Sequence, residues 1–298
     1  MAEKIRVSIG IPVYNEEKNI VRLLQAIESQ KTRIADIEKV FIINDGSTDS
    51  TKDKVSRFIK LRKSGGKFEL ISYPVRKGKW FAINEFLKRA KSPVLFLESA
   101  DNLPEKGCFD FLAGHFFNRK AGIVNARIIP VNDRKSFFGF SAHLIYELHY
   151  EISLERPKFG ELIVFRNIVK KIPHTIVDED EIARMIQEKG YSLLYEPKAI
   201  VYNRGPENIS DFISQRRRIY CGYLVLREKS GYISPTLNSI RIAGLVLRKI
   251  RPGNIFYACG ASFLECLSRF LGWLDYSTGN AEKHIIWKQI KSVKNLRK

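Results

Sequence analysis

Residues 7–16 read Val7-Ser8-Ile9-Gly10-Ile11-Pro12-Val13-Tyr14-Asn15-Glu16, and residues 40–47 read Val40-Phe41-Ile42-Ile43-Asn44-Asp45-Gly46-Ser47. Each is a short apolar run that stops abruptly in turn-forming, polar residues. Runs of this length without polar alternation predict strands covered on both faces. Between the two, Ile20, Leu23, Leu24 and Ile27 recur at helical spacing. After the second, Thr48 or Asp49 can cap a helix carrying Val55, Phe58, Ile59 and Leu61. Phe68 to Ser72 reads as a third strand after a Gly65-Gly66 turn, Lys79 to Lys91 as a third helix, and Val94 to Leu97 as a fourth strand. This alternation predicts an α/β fold, a Rossmann-like and mostly parallel sheet with helices on both faces. Ligands in such sheets sit beyond the carboxyl ends of the strands. Those ends are Tyr14-Asn15-Glu16, Asn44-Asp45-Gly46-Ser47, Tyr73 to Lys79, and Glu98 to Asn102.

The second half is less regular. Ile123 to Pro130 and two short segments, Ser192–Tyr195 and Ala199–Tyr202, read as strands; Phe138 to Glu151 and Ile182 to Lys189 read as helices. From Ser210 the pattern is helical and basic to the end, so the expected division is a catalytic domain over 1–205 and a helical extension over 206–298. The 298 residues are 44% hydrophobic and 28% charged, which excludes wholesale disorder. Cys108, Cys221, Cys259 and Cys266 form no CxxC pair and no zinc spacing with histidine, so they read as reduced thiols. Fifty-one Lys+Arg against 32 Asp+Glu give a net charge of +19, which calls for an anionic partner.

Four strand-end motifs then fall into line: Pro12-Val13-Tyr14-Asn15-Glu16, Asn44-Asp45-Gly46-Ser47, Arg76-Lys77-Gly78-Lys79 and Ser99-Ala100-Asp101. With Asp178-Glu179-Asp180-Glu181 and Gln215-Arg216-Arg217-Arg218 downstream, the chain resembles family 2 glycosyltransferases of the GT-A fold over roughly residues 5 to 220. The resemblance implies an inverting enzyme that moves a sugar from a UDP- or GDP-sugar to a hydroxyl or a lipid phosphate. It assigns the first loop (Pro12, Tyr14, Glu16) and Asp45 to the nucleotide, and Arg76 and Lys79 to the diphosphate. Asp101 would hold Mg²⁺ or Mn²⁺, which neutralises the leaving group. Two acids of the family pattern are replaced here, by Asn44 and by Ser99. The proton acceptor is expected in the acidic run, from Asp178, Glu179 or Asp180; spacing to Gly190-Tyr191 favours Glu179, a literal Glu-Asp reading Asp180. Gln215, Arg217 and Arg218 resemble a QxxRW motif that grips pyrophosphate, with Ile219 in place of the tryptophan.

Competing readings weaken on inspection. A sugar-phosphate nucleotidyltransferase would want a Gly-rich loop after the first strand, where PVYNEE stands. A nucleic-acid-binding protein would want basic residues interleaved with aromatics, so no nucleic-acid partner is expected. A catalytically inactive homologue remains the alternative suggested by Asn44 and Ser99. From Ile240 to Trp273, basic residues (Arg241, Arg248, Lys249, Arg251) stand beside apolar ones (Leu245, Val246, Ile255, Phe256, Phe263, Leu264, Phe270, Leu271, Trp273). Glu265, Arg269 and Asp275 argue against a membrane span there, and an anionic membrane surface is the expected contact. The acceptor would then be a glycan or a lipid-linked group, and the chain cytoplasmic, peripheral at the inner face of the cell membrane. The opening MAEKIRVSIGIPVYNEE carries no signal-peptide pattern.

Overall fold

The computed structural model describes residues 4–62, 66–286, 289–290 and 292–294. The chain runs β1 (Ile5–Val13), α1 (Ile20–Glu28), β2 (Ala35–Asp45), α2 (Thr51–Arg62), β3 (Phe68–Tyr73), α3 (Lys79–Arg89) and β4 (Val94–Glu98). It continues through the two-residue β5 (Leu103–Pro104), α4 (Cys108–Gly114), β6 (Ala121–Pro130), α5 (Phe137–Glu155), β7 (Leu162–Arg166), α6 (Asp178–Glu188) and β8 (Ser192–Asn203). Helices α7 (Ile209–Ser230), α8 (Ser239–Lys249) and α9 (Ile255–Ser277) follow. The strands form one eight-stranded sheet in the order β3-β2-β1-β4-β7-β6-β8-β5. Pairs β1–β2, β1–β4, β2–β3 and β6–β8 are parallel, while β7 runs antiparallel to both its neighbours.

Successive strand residues point to opposite faces, and here both faces are apolar. Val40, Ile42 and Phe96 pack with α1, α2 and α4, where Ile20, Leu23, Leu24, Ile27, Phe58 and Phe109 are buried. Phe41, Ile43, Leu95 and Leu97 pack the other way, against Ile83, Phe86 and Leu87 of α3 and Ile182 and Ile186 of α6. Gly10 is where β1 and α3 meet: a Cβ there would stand 2.4 Å from the Phe86 ring. Any larger residue would force the helix off the sheet, and with it the loop that precedes the helix.

The strand–helix order over residues 5–98 matches the sequence expectation. The expected Gly65-Gly66 turn has its first residue outside the described residues, as do 287–288, 291 and 295–298 of the basic carboxyl-terminal stretch. The two segments read as separate strands are one strand, β8. Pro197 cannot donate to a ladder, and the register against β6 skips between Ala126↔Glu196 and Arg127↔Ile200 to pass it. Helix α6 begins at Asp178, not Ile182, so the four acids form its first turn, where the helix dipole favours them. Strand β7 was not foreseen. It starts where β4 ends, with Glu98 opposite Leu162, and so brings Gly160 and Glu161 to the edge at which the parallel strands finish.

Candidate active site

Beyond the carboxyl edge of the sheet lies one large cleft, closed on the far side by α5 and α7. Pro12, Tyr14, Glu16, Asp45, Arg76, Lys79, Ser99, Asp101, Asp178, Glu179, Asp180, Gln215 and Arg218 all line it. One expected residue does not. Arg217 turns away and grips Asp275 of α9 through two bonds of 2.5 and 2.6 Å. Its neighbour Arg216 faces the cleft instead, held by Glu265 at 2.7 and 2.8 Å. The 100° step between successive helical residues sends these two guanidiniums to different acids.

The loops after β1 and β2 are stitched together. Asn15, in the left-handed region at φ 52°, donates its N–H to Ser47 Oγ at 2.9 Å, and its Oδ1 accepts the Thr48 N–H at 2.8 Å. Asp45 is 3% exposed, and its two oxygens accept the N–H groups of Lys77 (2.8 Å) and Gly78 (2.7 Å). Burial raises its pKa against these two donors. The carboxylate expected on the nucleotide base therefore also holds the basic loop and the start of α3. Arg76 lies over the Tyr14 ring, 3.9 Å from its centroid. Gly46 sits at φ +71°, where a Cβ would come within 2.5 Å of Arg76 N; only glycine lets these two loops meet. Asn44 bonds Ser72 Oγ at 2.8 Å and accepts the Ser47 N–H at 3.3 Å. It builds the turn and lies outside the cleft lining.

Of the acids at the start of α6, Glu181 pairs with Arg184 at 2.7 Å and does not line the cleft. Glu179 is ion-paired with Lys79; burial works against its charge, but Lys79 prevails and holds its pKa below the usual value. Asp180 faces Lys158 at 3.4 Å, yet burial pushes its pKa up to about 6. Burial brings Asp178 to about 7, against the pull of Lys79 and Arg218. Glu179 is thus the cleft-lining acid of the run whose pKa lies below its usual value, and its partner Lys79 also acts on Asp101.

Asp101 has its pKa raised, by burial first, with Lys79 opposing. The Lys294 ammonium is ion-paired with Glu16 and lies 3.6 Å from Asp101 Oδ2. A cation of the chain itself thus stands between these carboxylates, so the donor set fits a positive charge at this point. Among the described residues no group of three His, Cys, Asp or Glu side chains could hold a metal. A divalent ion here would draw most of its oxygens from diphosphate and water, as Mg²⁺ commonly does.

Sequence reasoning missed Lys158, Glu161, Lys294 and the α5 face formed by Tyr146, His149 and Tyr150, all in the cleft. Glu161 stands at φ 65°, rare for a residue with a side chain. Its pKa is raised to about 7 by burial and then by Asp101. Burial, with Lys158 and Arg216 nearby, keeps His149 well below its usual pKa, hence neutral.

Comparison with known proteins follows the same outline. The family described as Glycosyl transferase family 2 matches residues 8–177, and that described as Glycosyl transferase family group 2 matches residues 94–278. The chain belongs to glycosyl transferase family 2. "Probable glycosyltransferase YdaM" of Bacillus subtilis (strain 168) is 25% identical over 253 residues, covering 76% of this chain and 58% of that protein. The chain therefore spans less than two thirds of this relative's length. The mannosyltransferase PcManGT from Pyrobaculum calidifontis, solved with GDP-Man and Mn²⁺, superimposes with a TM-score of 0.63 at 19% identity. That match covers 95% of this chain and 86% of the other. S. aureus TarS 1-349, solved with UDP-GlcNAc, gives 0.51 at 17% identity over 92% of each chain. These likenesses show the expected GT-A fold.

Proposed function

We infer that this family 2 chain is an inverting glycosyltransferase using a UDP- or GDP-sugar. The observation that carries the reading is Glu179, ionised through Lys79, in one cleft with the cation-facing Asp101. Tyr14, Glu16 and Asp45 border the nucleotide end, and Arg76, Gln215 and Arg218 offer donors to the diphosphate. Asp101 would hold Mg²⁺ or Mn²⁺, which lowers the charge on the departing diphosphate. The acceptor oxygen attacks the anomeric carbon opposite the diphosphate while Glu179 takes its proton. The carbon–oxygen bond to phosphate breaks, and the electron pair leaves with the nucleoside diphosphate. Inversion needs only this one carboxylate near the attacking oxygen. A lipid-phosphate acceptor, already ionised, would need none. Tyr146, Tyr150 and Tyr195 offer a half-apolar wall to the acceptor.

Helices α7 to α9 belong to the extension expected over 206–298, and the outer surface of α9 supports contact with an anionic membrane. Helix α9 is apolar outside: Phe256, Phe263 and Phe270, two turns apart, are 87%, 66% and 55% exposed, while Glu265, Ser268 and Asp275 point inward. On α8, Ile240 and Leu247 are also exposed. Arg248 and Arg251 are exposed as well, whereas Arg241 and Lys249 are tied to Glu155 and Glu151 of α5. No described helix is long and apolar enough to cross a membrane; this face would lie in the interface.

The test is a thermal-shift panel of UDP, GDP and their sugars with and without Mn²⁺. A ligand at 100 times its dissociation constant stabilises by about 2.7 kcal/mol. A metal-dependent shift for one nucleotide, lost in Asp101→Asn, is expected. No shift with any nucleotide overturns the reading.

A further inference from the structure

The cleft holds a carboxylate that the transfer mechanism does not use. We propose that Glu161 supplies, from the neighbouring strand, the second carboxylate of the cation site, taking the place left by Ser99. The inference rests on the transferase reading above.

The argument begins with strand pairing. β4 and β7 run antiparallel, with Val94 opposite Arg166 and Glu98 opposite Leu162. Just beyond that last rung, the Ser99 N–H donates to the Glu161 carbonyl at 3.0 Å. That bond ties position 161 to position 99 at the cleft, and the longer side chain at 161 carries a carboxyl where Ser99 has none. Ser99, Asp101 and Glu161 all line the cleft, and Asp101 is the charge that acts most strongly on Glu161.

Three further observations single this glutamate out. Its backbone is left-handed at φ 65°, after Gly160. Such strain in a residue with a side chain persists where surroundings enforce it, and it gathers at functional sites. Its carboxylate is also aimed: Tyr146 Oη (3.4 Å) and Asn203 Nδ2 (3.3 Å) both approach Oε1. No hydrogen bond among the described residues reaches Oε2. Finally, Asn203, 4% exposed, leaves its own Oδ1 without a partner among those residues. Beside them the Lys294 ammonium already approaches Asp101. Two half-buried carboxylates in one cleft repel each other until a cation joins them.

The test is Mn²⁺ binding to the full chain with GDP or UDP present, read from the spin-resonance signal of free Mn²⁺. Wild type, Asp101→Asn, Glu161→Gln and the double variant Glu161→Gln/Ser99→Asp are compared. Glu161→Gln is expected to weaken Mn²⁺ by at least about tenfold, since even groups behind the ligands cost that much. Restoring a carboxylate at position 99 in that background is expected to recover most of the loss. The proposal is overturned if Glu161→Gln binds Mn²⁺ as wild type does while Asp101→Asn does not. It is also overturned if the loss persists in the double variant. A wild type that binds neither nucleotide nor Mn²⁺ overturns the transferase reading, and this proposal with it.

Discussion

Replacing Asp45 with alanine tests whether one carboxylate holds the donor side together. Its oxygens accept two backbone N–H groups, from Lys77 and from Gly78, the residue just before α3. Alanine leaves both donors unmet. An unsatisfied buried donor costs about 1–3 kcal/mol, with Lys77 at the lower end because water reaches it in part. The start of α3 also loses a negative charge worth about 0.3–1 kcal/mol. The expected destabilisation is about 2–4 kcal/mol, which for a chain of this length moves the melting point by about 3–6 °C. Asparagine keeps one acceptor and turns an amine toward the other N–H, so about half of that loss is expected. Thermal and urea unfolding read the stability. Nucleotide affinity reads the loop, because Arg76 and Lys79 ride on it. An Asp45→Ala protein within about 0.5 kcal/mol of wild type, with nucleotide binding intact, would refute the reasoning.

Glu179→Gln is expected to lower kcat with a hydroxyl acceptor by about 10²–10⁴-fold while leaving the nucleotide-dependent thermal shift in place. Asp180→Asn is expected chiefly to destabilise, by about 1–3 kcal/mol, because it takes the facing carboxylate from the Lys158 ammonium and leaves it the Phe159 carbonyl; chemical denaturation measures it. Burial opposes the charge of Glu265, but Arg216 and Arg269 bring its pKa down to about 2. Because the folded value lies below the unfolded one, that stability is complete above about pH 4.5 and lost as pH falls toward 2. An acid titration should show a loss of about 3 kcal/mol over that window, and Glu265→Gln should flatten it. Sedimentation with vesicles rich in anionic lipid is expected to carry the chain down, less so with Phe256→Glu/Phe263→Glu; equal sedimentation of both proteins would count against the outward face of α9.

Much of the site was legible because the parallel strands end in short loops whose chemistry is contiguous in sequence. Tyr14, Asp45, Arg76 and Asp101 each stand at their strand's carboxyl end or within three residues of it, so reading four strands located four pieces of the cleft. Glu161 escaped for the opposite reason. It precedes its strand, and only the antiparallel direction of β7 brings it to the same edge. The choice between Arg216 and Arg217 was out of reach because it depends on where Glu265 and Asp275 lie, about 50 residues on. For α9, the spacing of Phe256, Phe263 and Phe270 against Glu265 and Asp275 defines two faces. Which face meets water is fixed by the arginines of α7, and the acidic face wins them.

The segment carrying Gln289, Val293 and Lys294 bears on the order of events at the cleft. Gln289 donates to the Asn15 carbonyl at 2.8 Å, Ser292 Oγ donates to Asp211 at 2.6 Å, and Val293 is 6% exposed. The protein thus carries its own competitor for Glu16 and Asp101, tethered and present at an effective concentration on the order of millimolar. A lone divalent ion has to outbid that ammonium. A cation arriving with a diphosphate would not, since the phosphates would bring the negative charge to draw Lys294 off the carboxylates. On the proposed reading, ion and nucleotide would load as one unit, and the bare protein would be spared an uncompensated acidic floor.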